Sequence, residues 1–352
     1  MSDLEEAIRL GQRAVDCTSR DHPGRAMHVN NLVVLLGDRF ERTEEIADLD
    51  EAIRLGQDAV DCIAYDNKDR AMYLHNMSVQ LGRRFGRIGT MADLEAAIRL
   101  GYEAVDYTAQ DDPNRAIYLG NLSLVLENRY KRIGSMADLE RAIQVGQEAV
   151  DSTPRNHPSR AIRLNNLGLM FRDRFSRTGM TAELNEAIRL GHEAVDCTAH
   201  SHPNRGKHLS NLGVWLQARY ERTGSMADLE EAIQVGHEAV DSTPLNHPSR
   251  AIRLNNLSLV IRDRFNRTGA TADLGEAIDL GYGGVDCIPR DHPDRMVILN
   301  SLCSLLGDRF ERTGAMGDLE EAIRLGQEAV QTAPFDDPRR ATYLNTLRGL
   351  EY

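Results

Sequence analysis

Apolar residues follow a helical spacing that restarts every 45 residues along the whole chain. Between Asp138 and Ser152 the apolar positions recur at helical intervals, and charged or amide side chains occupy the positions between them. This pattern predicts an amphipathic helix of about four turns. We expect the helix to stop at Pro154, because proline cannot continue it.

A second, longer helix is predicted in the rest of each repeat. Its N-cap should be an Asp, Asn or Ser, since these side chains accept hydrogen bonds from the first N–H groups of a helix. A proline two residues later in seven of the eight copies fits a first helical turn. The helix should end at Gly179 and its equivalents. The predicted N-caps are Asp21, Asp66, Asp111, Asn156, Ser201, Asn246, Asp291 and Asp336.

A turn of about 100° per residue divides the long helix into two faces. One face, predicted to be core, comprises Leu164, Leu167, Gly168, Phe171 and Phe175. The opposite face comprises Ile162, Asn166, Leu169 and Asp173. We expect this second face to contact something other than the core of its own repeat.

Glycine stands in the middle of the first helix in all eight copies. A glycine there costs roughly 1 kcal/mol relative to alanine, so a packing reason is required. Our hypothesis is that the missing side chain makes room for the Phe or Tyr near the end of the long helix, such as Phe175. The glycines are Gly11, Gly56, Gly101, Gly146, Gly191, Gly236, Gly281 and Gly326.

A fixed period of this length predicts an all-α solenoid in which each repeat contacts its neighbours. We expect one solenoid domain over residues 1–352, with a half-unit at 1–20, seven complete helix pairs over about 21–335 and a half-unit at 336–352. Neither half-unit carries a polar capping repeat. This favours either flanking domains or head-to-tail association of two copies.

Composition narrows the class of partner and the compartment. The formal charge of −12 argues against a nucleic-acid or anionic-membrane surface and is compatible with a partner that has a basic segment. The chain has no apolar run long enough for a membrane span and no signal-like start, so we expect a soluble, cytoplasmic protein. Four of the five cysteines share one position of the repeat, and we expect them to be buried free thiols.

The repeat resembles the tetratricopeptide repeat (TPR) over essentially the whole chain. Asn166-Leu167-Gly168 is similar to the core of that family's first helix, Ala187 and Ala194 to the small residues of its second helix, and Pro154 to its closing proline. The lengthened repeat looks closer to those of kinesin light chains and nephrocystin-like proteins, and closest to fungal proteins with CHAT or NTPase-switch domains. The resemblance implies a right-handed superhelix whose concave face is lined by the long helices and binds extended peptides or partner helices.

A row of asparagines is the first candidate for a binding surface. An amide can both donate to and accept from the backbone of a segment that crosses the helices. The alternative is that each asparagine bridges to the neighbouring repeat. The row comprises Asn31, Asn76, Asn121, Asn166, Asn211 and Asn256.

A group of cationic residues near the only tryptophan is the second candidate. Lys207 replaces an apolar residue, and Arg163, His208 and Arg253 occupy one position in three successive repeats. With Trp215 they would suit an acidic peptide or an anionic small molecule. The alternative is a solvated edge, with the tryptophan filling core space.

Other polar residues are interpreted as structural. An arginine that recurs in every copy, such as Arg25, stands nine residues after a recurring aspartate, such as Asp16, and we expect ion pairs between them. Four histidines lie between His192 and His208, but no ligand pattern accompanies them, so no metal site or cofactor is predicted. The sequence therefore favours a non-catalytic protein-interaction scaffold, whose partner is another protein or peptide or a flanking effector domain. The alternative is an enzyme or a small-molecule receptor that uses the central groove.

Overall fold

The computed structural model describes residues 2–334 and 337–350. In these ranges the chain forms sixteen α-helices and no strand, and short and long helices alternate. The short helices are α1 (Ser2–Asp16), α3 (Ile46–Asp61), α5 (Met91–Asp106), α7 (Met136–Asp151), α9 (Thr181–Asp196), α11 (Met226–Asp241), α13 (Thr271–Asp286) and α15 (Met316–Thr332). The long-helix positions are α2 (Arg25–Thr43), α4 (Arg70–Ile88), α6 (Arg115–Ile133), α8 (Arg160–Thr178), α10 (Arg205–Thr223), α12 (Arg250–Thr268), α14 (Arg295–Thr313) and α16 (Arg340–Leu350).

The chain divides into two compact units, one up to Met170 and the other from Phe171. In the first unit, α2 packs against α1 and α3, α4 packs against α3 and α5, and the long helices α2, α4 and α6 contact one another in succession. In the second unit the same arrangement holds for α9 to α16. The predicted all-α solenoid of helix-turn-helix repeats is confirmed. The extent of the single domain and of its half-units stays a prediction.

The recurring glycine of the short helix faces a leucine of the next long helix in seven of the eight copies, and Gly56 faces Met77. A Cβ atom at Gly146 would lie 3.3 Å from Leu167 Cδ1, and one at Gly236 would lie only 2.8 Å from Leu257 Cδ1. Our hypothesis that the glycine makes room for Phe175 and its equivalents is therefore wrong. The space is filled by the leucine that directly follows an asparagine of the row, because this side chain lies where the two helices come closest.

An ion pair joins the end of each long helix to the start of the following short helix. In the first unit Arg39 contacts Asp48 at 2.5 Å, and the aspartate is buried. The helix dipole stabilises a carboxylate in the first turn of a helix, and the contact with arginine stabilises it further. Both interactions therefore stabilise the turn between the two helices. The equivalent pairs are Arg84–Asp93, Arg129–Asp138, Arg174–Glu183, Arg219–Asp228, Arg264–Asp273 and Arg309–Asp318.

The predicted ion pairs between Asp16 and Arg25 and their equivalents are wrong. Arg25 Nη1 instead donates to the carbonyl oxygens of Val15 and Thr18, at the end of the preceding short helix. Carbonyls in the last turn of a helix lack backbone partners, which makes them good acceptors for a guanidinium. Asp16 accepts a hydrogen bond from Gln12 within its own helix.

The long helices begin three residues later than predicted. The first starts at Arg25, and not after Asp21, because the proline and its neighbours form a turn. In that turn His22 Nδ1 accepts a hydrogen bond from the backbone N–H of Gly24 at 3.0 Å. The same displacement applies to the predicted N-caps up to Asp291, whereas Asp336 lies outside the described residues.

Two further features of the surface differ from simple expectation. The cysteines form no disulfide within the described residues, but Cys17, Cys62 and Cys197 are exposed, so the prediction of buried thiols is wrong for them. Leu10 is half exposed although its equivalent Leu55 is buried. Association of a second copy or a flanking domain with the apolar face that includes Leu10 stays a prediction.

Of the helices in the described ranges, none is both long and apolar enough to cross a membrane.

The contact between glycine and leucine predicts a size limit at this position. Gly146→Leu should lower the melting temperature by several degrees, because overpacking against Leu167 and Met170 costs roughly 1–3 kcal/mol. The control is Gly275→Leu on α13, where an added Cβ meets no atom within 4 Å of the described structure. Differential scanning calorimetry should show no loss for the control, and equal loss in both variants would contradict the packing explanation.

Candidate functional site

The candidate site is the exposed surface of the long helices, which we call the long-helix face. It consists of the positions of Ile162, Asn166 and Leu169, whose spacing of four and three residues places them on one side of a helix. Met27 and Ile117, at the same position as Ile162, are 49% and 41% exposed, and Ile162 itself is 39% exposed. Side chains of this size are usually buried, so their alignment marks a surface that can bind apolar groups.

In the first unit, asparagines of this face connect successive long helices. Asn76 Nδ2 donates to Asn30 Oδ1 at 2.9 Å, and Asn121 Nδ2 contacts His75 Nε2 at 3.0 Å. The amide nitrogen is thus engaged in each case. The amide oxygen of both residues accepts no hydrogen bond from the part of the chain that the structure describes, and it can accept one from a ligand.

The remaining asparagines of the row have varied surroundings. Asn256 Nδ2 approaches Ser210 Oγ at 3.5 Å, a long contact. Asn31 is exposed, while Asn166 and Asn211 are half-buried on the same face of their helices. The bridging that the sequence left as an alternative therefore occurs in at least three copies. It uses one end of the amide and leaves the other end for binding.

Arg163 lies on α8 in the first unit and reaches back towards the preceding short helix. Its Nη1 donates to Thr153 Oγ1 at 2.6 Å, and its Nε lies 3.6 Å from the position of a Cβ at Gly120. Burial lowers the pKa of the Arg163 guanidinium, and no carboxylate among the described residues pairs with it. A half-buried cation without an anion generates a positive potential at the surface.

Arg253 repeats this arrangement on α12 in the second unit, with deeper burial. Its Nη1 donates to Thr243 Oγ1, and its side chain occupies the space that an alanine at position 206 would need. Gly206 is glycine where the equivalent residues Ala161 and Ala251 are alanine. Burial lowers the Arg253 pKa, because only a hydroxyl compensates the charge within the described structure.

The other members of the cationic group occupy opposite environments. Lys207 is exposed on α10, whereas His208 beside it is buried. Trp215 is 1% exposed, and its ring lies 2.9 Å from the position of a Cβ at Gly191. The tryptophan thus fills core space, which was the alternative, and Lys207 is the member that a ligand can reach directly.

The far end of the long-helix face in the second unit is polar and internally paired. Gln217 Nε2 donates to Asp263 Oδ2 at 2.7 Å, and Arg262 pairs with Asp308 at 2.5 Å. Burial raises the pKa of Asp263, and burial together with the charge of Asp263 raises the pKa of Glu221. Because most of these groups already have partners, the apolar and asparagine positions are the better candidates for binding.

The exposed side of the short helices carries charges that pair locally. Arg54 bonds Glu51 at 2.6 Å in the first unit, and Arg189 bonds Glu186 at 2.5 Å in the second. Exposed pairs of this kind contribute little to stability and keep the surface well solvated. The exposed side of the short helices is therefore charged, whereas the long-helix face shows aligned apolar side chains.

The histidines that cluster in the sequence do not form a metal site in the described ranges. Two of them lie beside carboxylates: His192 contacts Glu231 at 3.2 Å and His200 lies 3.8 Å from Glu238. No three metal-ligating side chains converge in the part of the chain that the structure describes. His202 accepts a hydrogen bond from the backbone N–H of Asn204, and His208 is buried in α10.

Sequence reasoning missed the roles of two kinds of residue. The threonines Thr153 and Thr243 hold the arginines, and the recurrence of threonine at this position was the available signal. The exposed apolar residues at the positions of Ile162 and Leu169 were assigned to the outward face but not to the candidate site. Their alternation with asparagine was visible in the sequence.

Two buried histidines predict a loss of stability in mild acid. Burial lowers the pKa of His75 and of His208 to about 4, and Lys207 and His202 add to the shift of His208. The unfolded histidines take up protons below about pH 6.5 while the folded ones do not, so stability is fully present above that pH and is lost on the way to pH 4. Each histidine should remove about 2 kcal/mol of unfolding free energy between pH 7 and pH 5.

Urea unfolding at the two pH values measures this loss, and the chain supplies the control variant. His75→Asn introduces the residue found at Asn30, which accepts the same bond, and His208→Tyr introduces the residue found at Tyr118. The double variant should lose this part of the pH dependence. An unchanged difference between pH 7 and pH 5 would show that other groups cause it.

Comparison with known proteins agrees with this geometry. A family model described as tetratricopeptide repeat matches residues 115–159 and residues 207–249. The first match covers α6, α7 and the following turn, and the second covers most of α10 together with α11. A search of curated proteins finds no match.

Several solved structures are similar to the chain. The C-terminal part of a TPR repeat-containing protein from Cytophaga hutchinsonii matches with a TM-score of 0.55 and 12% identity, over 90% of this chain and 99% of that one. BtubC (BKLC) from P. vanneervenii matches with a TM-score of 0.51 and 18% identity, over 68% of this chain and 90% of that one. A putative kinesin light chain with nearly identical TPR-like repeats from Podosopora anserina has a TM-score of 0.44 and 19% identity, over 61% and 96%. The first two likenesses show a shared fold.

Proposed function

Because the chain is built from tetratricopeptide repeats, we propose that it is a non-catalytic scaffold that binds an extended or helical segment of a partner protein along the long-helix face. The alignment of Met27, Ile117 and Ile162 as exposed apolar side chains carries this proposal. Repeat solenoids present extended surfaces of this kind for binding.

In the proposed binding mode, both the side chains and the backbone of the partner segment contact the long-helix face. Apolar side chains of the partner pack on Ile117 and Ile162, which removes apolar surface from water. Backbone N–H groups of the partner donate to the amide oxygens of Asn76 and Asn121, whose nitrogens are already engaged. The asparagines thus contribute affinity without specifying sequence, and the apolar positions select side chains.

The cationic residues supply the charge preference of the partner. Arg163 in the first unit and Lys207 in the second are accessible, and the buried Arg253 adds positive potential beneath the surface of the second unit. Each location suits a carboxylate of an acidic side chain. We propose that the bound segment alternates apolar and acidic residues.

The role of the apolar positions is tested by placing negative charge on them. Ile117→Glu with Ile162→Glu should reduce the amount of polypeptide that copurifies from the natural source by tenfold or so, because buried charge in an interface costs several kcal/mol. Native mass spectrometry reports the copurifying species. A bound small molecule in place of a polypeptide would overturn the scaffold proposal and favour a receptor or an enzyme.

The matched control places the same charges on the short helices. Ala92→Glu with Ala137→Glu adds two carboxylates at exposed positions of α5 and α7 in the first unit, outside the long-helix face. These variants should retain the partner. If both pairs of substitutions release it equally, a general charge effect explains the loss and the long-helix face has no special role.

The charge preference predicts the behaviour of a designed probe. A fluorescein-labelled peptide of alternating leucine and glutamate should bind about tenfold more weakly to the variant Arg163→Tyr, Lys207→Ile, Arg253→Ile, because two accessible cations and one buried cation are lost. The new residues occur at equivalent positions as Tyr118, Ile252 and Ile298, so the fold should persist. Fluorescence anisotropy measures the affinity, and undiminished binding would remove these residues from the site.

A further inference from the structure

A recurring ion pair connects the start of a long helix to the next short helix. Arg115 Nη2 contacts Glu148 at 2.8 Å in the first unit. In the second unit Arg205 contacts Glu238 at 2.5 Å and Arg295 contacts Glu328 at 3.1 Å. Each glutamate stands 33 residues after its arginine, and the same spacing connects Arg70 with Glu103.

The expected pair between Arg70 and Glu103 is replaced by an aromatic cluster. The Arg70 guanidinium lies 5.3 Å from the ring centroid of Tyr65 and 5.5 Å from that of Tyr107. The two rings lie 5.2 Å apart, edge to face. Arg70 therefore makes cation–π contacts, and the described structure shows no ion pair between it and Glu103.

The loss of this pair leaves Glu103 with a weak contact. Its nearest cation is Arg99 on the same helix, at 3.4 Å, with both side chains solvated. An exposed pair at this spacing contributes little and exchanges readily for another partner. The carboxylate of Glu103 is therefore available to a cation from outside the chain.

Asp106 on the same helix has also lost its usual partner. Its equivalents Asp61 and Asp151 accept hydrogen bonds from Gln57 and Gln147, four residues earlier. At Asp106 that earlier residue is Tyr102, whose hydroxyl accepts a bond from Arg141 at 3.0 Å. Within the described residues Asp106 consequently forms no hydrogen bond or ion pair, although it lies beside Tyr107.

The four side chains line an open pocket at the turn edge of the first unit. Tyr65, Glu103, Asp106 and Tyr107 surround a volume of about 460 Å³. Tyr65 is 75% exposed, so much of its ring contacts water. The equivalents of Tyr65 and Tyr107 one or two repeats away are Arg155 and Ser152, so the aromatic pair is a departure from the repeat.

We propose that this pocket binds a lysine or arginine side chain of a partner protein. The ring surfaces that Arg70 leaves uncovered contact the aliphatic stem and the cationic head, while Glu103 and Asp106 accept hydrogen bonds from the head. The net charge of −12 draws a basic segment towards the chain, and the pocket gives it a defined seat. This site lies outside the long-helix face and does not depend on the function proposed for that face.

The sibling repeat supplies the test variant. Tyr65→Arg with Tyr107→Ser introduces the residues found at Arg155 and Ser152 and frees Arg70 to pair with Glu103. A fluorescein-labelled hexalysine peptide is titrated with the full chain at moderate salt and followed by fluorescence anisotropy. The double variant should bind the peptide about tenfold more weakly, which is the loss expected when cation–π contacts and one carboxylate are removed.

Charge variants separate this pocket from general attraction by an acidic protein. Glu103→Gln with Asp106→Asn should weaken hexalysine binding about as much as the tyrosine substitutions do. Glu95→Gln with Glu140→Gln removes the same charge from exposed sites on α5 and α7 and should leave binding nearly unchanged. Equal binding by the wild type and the tyrosine variant, or equal losses in the two charge variants, would overturn the proposal.

Discussion

The close approach between the glycine in the middle of each short helix and a leucine side chain, or Met77 in one repeat, sets the geometry of the repeats. At Gly281 an added Cβ would come within 2.9 Å of Leu302, and at Gly146 within 3.3 Å of Leu167. Because the contact recurs at a fixed position of the repeat, each long helix approaches its short helix to a similar distance. The ion pair between Arg39 and Asp48 and its equivalents then fixes the turn that follows. The regular exposure of the long-helix face depends on this constraint.

The sequence predicted the architecture well because its signals are local and repeated. Helix periodicity and the stop at Gly179, which has a φ of 67°, required no knowledge of tertiary contacts. The predicted partners of the arginines were wrong because two kinds of acceptor, a carboxylate and backbone carbonyl oxygens, compete for one guanidinium donor. Arg25 had a carboxylate within reach along the chain, but the unpaired carbonyls of Val15 and Thr18 hold it instead. Spacing alone cannot rank such acceptors, because the direction of the side chain decides.

The candidate site was predicted only in part for a related reason. A row of asparagines is visible in the sequence, but its hydrogen bonds join residues that lie 46 positions apart in the sequence, on successive long helices, as for Asn76 and Asn30. Burial likewise follows from packing, so the sequence left open whether Trp215 faces a ligand beside Lys207 or fills core space. The tyrosine pocket shows the limit most clearly. Tyr65 and Tyr107 are far apart in sequence, and their contact with Arg70 appears only when two repeats stack.

The fit between Gly206 and Arg253 has a consequence for how this array can change by duplication or loss of repeats. An alanine at position 206 would place its Cβ 2.8 Å from Arg253 Nη1 and 3.0 Å from the carbonyl oxygen of Ala239, so the guanidinium and the helix would both have to shift. Most other long helices carry alanine, such as Ala116 and Ala161. Arg163 follows the helix of Ala116 and still donates to Thr153, so an arginine at this position can adjust to a preceding alanine. Recombination that moves the repeat of Arg253 next to a helix with alanine would require the same adjustment, so near-identical repeats exchange only with a local rearrangement of packing.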